Sequence, residues 1–188
     1  MKNKKIIGIF SLAVIMAFGL YLFNYDANAD TSHEKTKGVY TISNVVKGAK
    51  NSIPNFDFTI DGKKVNFKDY SKGNVIFINF WGTWCPPCRK EIPDIIKINE
   101  ELNGKKFMVV GMASERVADP VSKVSEYATA NKLNYPNFIV TKELVDAFGG
   151  LDAVPTTFIV DGNGNIVEKI VGMRDKETFM ASIKRVLK

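Results

Sequence analysis

The chain has 188 residues, of which 45% are hydrophobic, and this is enough for one ordinary core. No internal repeat or long low-complexity segment indicates a second domain, so a single globular domain with an N-terminal appendage is expected. The net charge of +6 comes from 26 basic and 20 acidic residues that are interspersed, without a basic stripe interleaved with aromatics, and nucleic acid is therefore not an expected partner.

The N-terminus has the pattern of a targeting segment. Three lysines precede an uncharged apolar run from Ile6 to Phe23, and the small-x-small triplet Ala27-Asn28-Ala29 follows. This order is typical of a cleaved export signal, but the run as a helix would span about 27 Å, which is nearly enough for a membrane anchor. Residues 1–29 are thus expected to be a signal peptide or a membrane anchor, with both alternatives open. Either one predicts that the rest of the chain works outside the cytoplasm, in the cell envelope.

Residues 30–52 are polar and weakly patterned, which predicts a linker with at most one short strand, around residues 39–42. The only histidine, His33, lies in this linker and is expected to be exposed to solvent. The folded domain is predicted to span residues 53–188.

The elements of this domain follow from apolar periodicity and turn residues. Alternating apolar residues on both sides of Asp61-Gly62 predict a hairpin, and residues 68–74 are expected to form a loop. Near-continuous apolar runs predict buried strands at residues 75–81 and 107–113. The remaining predicted elements are helices at 86–102 and 121–131, a strand at 137–140, a short helix at 143–148, a hairpin of strands at 156–160 and 165–171, and a helix at 176–187. Such an order predicts an α/β fold with a central mixed sheet flanked by helices on both faces.

The only two cysteines, Cys85 and Cys88, lie between the first buried strand and the next predicted helix. Unpaired N–H groups and the dipole at a helix N-terminus favour a thiolate, so the spacing predicts a redox-active disulfide. A zinc site would need about four ligands, and the chain offers only His33 as a histidine. A purely structural disulfide would close so short a loop that it would constrain the unfolded chain little. A pair of inert core cysteines is the third alternative.

Two motifs carry a family resemblance. Residues 80–93, FWGTWCPPCRKEIP, resemble the active-site block of thioredoxin-like proteins, in particular the extracytoplasmic TlpA/ResA group of thiol-disulfide oxidoreductases. Residues 154–158, VPTTF, resemble the second family signature, a loop whose proline is cis and faces the cysteine pair. The resemblance covers roughly residues 53–188. It implies a thioredoxin-like fold with an N-terminal hairpin, and residues 120–140 fit the helix-strand insertion of this group.

One position departs from thioredoxin. Thioredoxin has a buried aspartate six positions before the first cysteine, where this chain has Asn79, whose amide accepts no proton. Relatives of the resembled group instead have a glutamate three residues after the second cysteine, here Glu91. The resemblance therefore makes Glu91 the candidate for proton handling. The alternative is an ordinary glutamate in the first helical turn, favoured there by the helix dipole.

Disulfide exchange needs an attacking thiolate, a resolving thiol and a group that handles the proton. Cys85, at the exposed start of the helix, is predicted to attack, and Cys88, one turn inside, to resolve. Pro86 and Pro87 have no N–H groups, so two potential donors to the Cys85 sulfur are missing. A less stabilised thiolate means a more stable disulfide, and this predicts a reductase.

Substrate contacts are expected from the residues around the cysteines. Trp84, with Pro86 and Pro87, is expected to shield the sulfurs and contact substrate, whereas Trp81 is expected in the core. The resemblance implies that the backbone at Val154, before Pro155, pairs with the substrate as an added strand. Expected partners are protein disulfides of the envelope, as in cytochrome c maturation or another envelope pathway, and a membrane thiol electron donor. An uncleaved N-terminal segment would add the membrane; no cofactor and no metal are expected.

Two other functions stay as alternatives. A peroxiredoxin would have a threonine three residues before its reactive cysteine and a proline four before that, where this chain has Gly82 and Ile78. A copper-binding thioredoxin-like protein would have three residues between its cysteines and a histidine after them. The residues favour neither alternative.

Overall fold

The computed structural model describes residues 38–187, so the predicted targeting segment and His33 lie outside the described residues. The described part contains nine strands and five helices. The strands are β1 (Val39–Tyr40), β2 (Ile42–Val46), β3 (Asn55–Ile60), β4 (Lys63–Asn66), β5 (Val75–Trp81), β6 (Phe107–Ala113), β7 (Asn137–Ile139), β8 (Thr156–Val160) and β9 (Ile166–Val171). The helices are α1 (Phe67–Ser71), α2 (Pro86–Glu101), α3 (Pro120–Ala130), α4 (Lys142–Ala147) and α5 (Lys176–Val186).

The central sheet is mixed, as predicted. Its strand order is β1-β7-β6-β5-β8-β9; the first four strands run parallel, and β8 and β9 are each antiparallel to the preceding neighbour. A separate antiparallel sheet is formed by β2, β3 and β4, and it contains the predicted hairpin around Asp61-Gly62. This is the thioredoxin-like α/β fold, with α3 and β7 in the segment expected as the insertion.

Strand β5 divides the core into two layers, because all seven of its residues are buried and alternate between the two faces of the sheet. Phe77 and Trp81 point to the layer that α2, α3 and α5 cover, where Ile95 and Phe179 are fully buried. Ile78 and its neighbours on the opposite face contact α1, α4 and the small sheet. Helices therefore cover both faces, as the sequence predicted.

Two segments differ from the prediction because tertiary contacts override weak local patterns. The expected linker contains two strands rather than at most one: β1 pairs with β7, and Tyr40 lies against Phe138 with ring centroids 5.6 Å apart. The expected loop at 68–74 begins with helix α1. Phe67 at its start is fully buried and stacks on Phe56 at 4.4 Å, which stabilises a helix too short to form alone.

Helix α2 contains the second cysteine, and the residues at its start fix where it begins. Cys85 is its N-cap, Pro86 occupies the first helical position, and the helix continues through Pro93 to Glu101. A proline in the first turn costs nothing, because the N–H it lacks would have no partner in the helix. The helix therefore begins within the cysteine motif and fixes both sulfurs at the carboxyl end of β5.

Candidate active site

The two cysteines form a disulfide, with Cα atoms 5.3 Å apart. Cys85 caps the helix: its sulfur accepts a hydrogen bond from the backbone N–H of Cys88 at 3.3 Å. An N-cap side chain reaches the N–H of the second or third helical residue, and here the second is Pro87, which has none. A single backbone donor therefore serves this sulfur at the start of the helix.

Both cysteines are buried in this disulfide state, which corrects the prediction of an exposed Cys85. Cys85 is 2% exposed and Cys88 is 0% exposed. The loop before β8 approaches the first sulfur: the carbonyl oxygen of Val154 lies 3.6 Å from Cys85 Sγ. The resemblance implied that this loop faces the cysteines, and the structure adds the close approach of the Val154 carbonyl, which is 69 residues away along the chain.

The loop that contacts Cys85 has the expected cis peptide bond between Val154 and Pro155. Its shape is held from both ends, since the Thr156 hydroxyl donates to the carbonyl of Ala153 at 2.7 Å and the N–H of Gly172 donates to the Pro155 carbonyl at 2.8 Å. The two motifs singled out in the sequence are thus brought together in space.

Glu91 is buried at 1% exposure, on the same helix as Cys88 and three residues after it. Its Oε1 accepts a hydrogen bond from Asn79 Nδ2 at 2.8 Å, and its Oε2 accepts one from the backbone N–H of Arg174 at 3.4 Å. Burial raises the pKa of Glu91 to about 7, while these hydrogen bonds and the positive charge of Arg174 act in the opposite direction. A carboxyl group with such a pKa exchanges protons near neutral pH.

Glu91, Asn79 and Thr157 together form a buried polar group that crosses from α2 to the sheet. Asn79 lies on β5 and Thr157 opposite it on β8, and Asn79 Nδ2 also donates to Thr157 Oγ1 at 3.1 Å. Asn79 is 0% exposed and Thr157 is 2% exposed. The sequence singled out Asn79 only as a departure from thioredoxin and gave Thr157 no role, since strand pairing alone brings the two together.

Trp84 lies at the rim of the site and is 41% exposed. Its Nε1–H donates to the carbonyl of Ser114 at 2.8 Å, and the Arg116 guanidinium lies over its ring at 3.9 Å. Trp81, by contrast, is fully buried in the core as predicted, with its Nε1–H bonded to Asn137 Oδ1 at 3.0 Å.

Glu115 holds the loop between β5 and α2. Its two oxygens accept hydrogen bonds from the backbone N–H of Thr83 at 2.6 Å and from the Thr83 hydroxyl at 2.9 Å. Neither Glu115 nor Arg116 was predicted from the sequence. The available signal was topological: both follow β6, and the loops after neighbouring parallel strands meet at the same edge of the sheet.

Two further observations concern residues 38–187. No group of three or more histidine, cysteine or carboxylate side chains in this part of the chain is placed to hold a metal ion. None of the helices described there has the length and apolar character needed to cross a membrane.

Comparison with known proteins agrees with this geometry. The Redoxin family model matches residues 48–187. Thiol-disulfide oxidoreductase ResA from Bacillus thuringiensis (strain Al Hakam) is 33% identical over 135 residues, 71% of this chain and 75% of that protein. The Bacillus subtilis ResA is 32% identical over 143 residues, with 71% and 76% covered. A thioredoxin-family thiol:disulfide interchange protein from Chlorobium tepidum TLS superposes with a TM-score of 0.64 at 33% identity, covering 78% of this chain and 99% of that one.

Proposed function

Because the chain belongs to the redoxin family and is a thiol-disulfide oxidoreductase, we propose that it acts as a reductase of disulfides in exported proteins. The observation that supports a reductase rather than an oxidant is that Cys85 Sγ has a single backbone donor, the N–H of Cys88. Fewer donors leave the Cys85 thiolate less stabilised, so the disulfide is favoured and the dithiol gives up its electrons readily.

Catalysis begins from the dithiol form, which a thiol donor regenerates. The Cys85 thiolate attacks one sulfur of a substrate disulfide, a mixed disulfide forms, and the other substrate sulfur leaves as a thiolate. The Cys88 thiol loses its proton to Glu91 and attacks Cys85 Sγ. This step re-forms the Cys85–Cys88 disulfide and releases the second substrate thiolate, so two electrons pass to the substrate. The proton on Glu91 then goes to the leaving thiolate or to solvent.

Glu91 is suited to this role by position and by proton affinity. It lies one helical turn after Cys88 on the same buried side of α2, and its pKa of about 7 lets it accept and release a proton near neutral pH. A carboxyl group at its ordinary pKa would be a weaker base for a thiol. Both cysteines are buried as a disulfide, and the groups beside Cys85 are Trp84 and the Val154-Pro155 loop. The substrate is therefore proposed to approach the site from this side.

Substrate binding is assigned to the rim around Cys85. Trp84 offers a partly exposed aromatic face, with Pro86 and Pro87 exposed beside it. The backbone at Val154 and Pro155 supplies the contact that runs along the substrate chain. Backbone contacts discriminate little between side chains, so a site of this kind can accept different unfolded segments that carry a cysteine pair. Examples are the apoprotein in cytochrome c maturation or another exported protein.

The electron donor is proposed to be a membrane thiol protein, since the compartment that the N-terminal pattern predicts favours disulfides over thiols. The N-terminal 29 residues then act as a signal peptide or an anchor that places the domain outside the cytoplasm. The names of the relatives support the thiol-disulfide chemistry, and the targeting pattern supports the compartment.

The reduction potential of the full-length protein tests whether it reduces or oxidises its substrates. Equilibration with dithiothreitol or glutathione mixtures should give a potential nearer the thioredoxin value of about −270 mV than the DsbA value of about −120 mV. Pro87→Ala restores an N–H within reach of Cys85 Sγ, and a donor worth about 1.5–3 kcal/mol should raise the potential by roughly 30–60 mV. Pro86→Ala is the matched control, because the first helical N–H is not one that an N-cap side chain accepts. A potential on the DsbA side would make this protein an oxidant.

The roles of the two cysteines are tested by trapping. Cys88→Ser should accumulate a long-lived mixed disulfide with an unfolded protein that carries a disulfide, because attack is retained while resolution is lost. Cys85→Ser should trap little. Non-reducing gel electrophoresis distinguishes them, and equal trapping by both variants would contradict the assignment.

A further inference from the structure

The buried polar group behind the disulfide has an uneven pattern of hydrogen bonds. Asn79 Nδ2 donates twice, to Glu91 Oε1 at 2.8 Å and to Thr157 Oγ1 at 3.1 Å. The other end of the same amide, Asn79 Oδ1, is buried and has no hydrogen-bond partner among the residues described. All three side chains are at most 2% exposed. A buried amide oxygen without a partner costs stability, so this arrangement needs a physical reason.

The arrangement suits only one protonation state of Glu91. An N–H donor stabilises the carboxylate, but a protonated Oε1 carries its own hydrogen and needs an acceptor instead. The two ends of an asparagine amide have nearly the same size. Turning the group over by half a rotation places Oδ1 where Nδ2 is now, facing both Glu91 Oε1 and Thr157 Oγ1.

Thr157 fits both orientations, because a hydroxyl is a donor as well as an acceptor. With the carboxylate, Thr157 Oγ1 accepts from Asn79 Nδ2; with the carboxylic acid, it donates to Asn79 Oδ1. Each orientation therefore makes the same two hydrogen bonds and pairs the carboxyl group. The other end of the amide is left without a partner in both, Oδ1 with the carboxylate and Nδ2 with the carboxylic acid. An aspartate at position 79 would add a second charge, and an aliphatic residue would serve neither state.

Other groups near Glu91 come from three parts of the chain. From the segment before α5, Arg174 offers a backbone N–H and a positive charge. Both favour the carboxylate form of Glu91, whichever way the Asn79 amide is turned. From the segment after α3, Tyr135 is fully buried, and burial raises the pKa of its hydroxyl so that it stays neutral. From α2 itself come Cys88 and Cys85, which are bonded to each other. Two groups hydrogen-bond Glu91, Asn79 Nδ2 and the backbone N–H of Arg174, whereas the Tyr135 hydroxyl has no hydrogen-bond partner among the residues described. Of these two groups, the Asn79 amide is the one whose hydrogen-bonding character reverses by a rotation.

We propose that Asn79 is a positioning residue whose side-chain amide turns over when Glu91 takes up a proton, with Nδ2 facing the carboxylate and Oδ1 facing the carboxylic acid. The turnover accompanies protonation whatever the source of the proton; its use in disulfide exchange rests on the proposed role of Glu91. The rotation keeps the buried carboxyl group hydrogen-bonded both before and after it takes up the proton.

Nuclear magnetic resonance of the full-length disulfide form tests the inference. Between pH 5 and pH 9, the Glu91 side-chain carboxyl ¹³C signal and the Asn79 side-chain NH₂ signals should move together with one midpoint. Contacts between the Asn79 NH₂ protons and the Glu91 side-chain protons should be present at pH 9 and lost at pH 5. In Glu91→Gln the Asn79 signals should not titrate. Asn99, a half-buried amide on α2 that bonds to Asn134, is the internal control and should keep its contacts throughout.

The outcomes separate this inference from the proposed function. If Glu91 titrates while the Asn79 contacts stay the same, the amide is fixed and the inference is overturned, although Glu91 still serves as a proton acceptor. Titration of Asn79 in Glu91→Gln would also overturn it. A second measurement, on the reduced proteins, tests the proton role separately: if the amide turns over but the Cys88 thiol of reduced Glu91→Gln titrates as in the reduced wild type, the inference stands and the proton role of Glu91 fails.

Discussion

Replacing Glu91 by glutamine should remove a pH-dependent loss of stability. Below pH 4.5, the ordinary pKa, Glu91 is protonated in both the folded and the unfolded chain and adds no pH dependence. As the pH rises, the unfolded chain ionises first, while burial keeps the folded group protonated up to about pH 7. The favourable contribution of the neutral form is therefore complete below pH 4.5 and is lost as the pH passes through about 7.

The size of this effect follows from the difference between the two pKa values. A rise of about 2.5 units at about 1.4 kcal/mol per unit corresponds to about 3 kcal/mol once Glu91 is ionised in both states. About 2.5 kcal/mol of this falls between pH 5 and pH 8. Because a typical domain is stable by only about 5–15 kcal/mol, the loss is large enough to measure.

Urea denaturation of the disulfide form, which has no titrating thiols, is the appropriate assay. From pH 5 to pH 8 the free energy of unfolding of Glu91→Gln should rise by about 2–3 kcal/mol relative to that of the wild type. Glu126→Gln is the matched control, since the same change at an exposed position of α3 should leave the difference constant. If the wild type and Glu91→Gln show the same pH dependence, Glu91 is not held neutral by burial, and its proposed proton chemistry fails with that result.

Three further substitutions test how the surrounding structure holds the site. Gly111→Ala would place a Cβ 2.0 Å from Asn137 Oδ1, so Asn137 must move, and thermal unfolding should show a loss of about 1–3 kcal/mol; an unchanged melting temperature would show that this contact yields freely. Trp81→Phe removes the donor to Asn137 Oδ1 and leaves a space in the core, so urea denaturation should show a loss above about 1–3 kcal/mol, and a smaller loss would contradict the contribution of the indole N–H. Glu115→Ala removes both acceptors from Thr83, so hydrogen exchange at the Thr83 amide should accelerate roughly fivefold, for a bond worth about 1 kcal/mol; unaltered exchange would show that Glu115 does not hold this loop.

The sequence alone determined most of the fold and the chemical identity of the site. Strands β5 and β6 were predicted to the residue, because an uninterrupted apolar run buried on both faces is a strong signal. The position of Cys85 at the start of α2 followed from the strand that precedes it and the prolines that follow it. Glu91 was singled out through the family resemblance, and the structure adds that it is buried.

The tertiary structure decided what surrounds these residues. Strand pairing places Thr157 beside Asn79 from 78 residues away. Helix α1 forms where Phe56 and Phe138 pack on the buried Phe67, and β2 forms by pairing with β3. Such contacts join residues far apart in the chain, and local periodicity carries no information on them. The pKa of Glu91 depends on the same long-range packing, since burial by the assembled core, rather than the neighbouring residues of the helix, raises it.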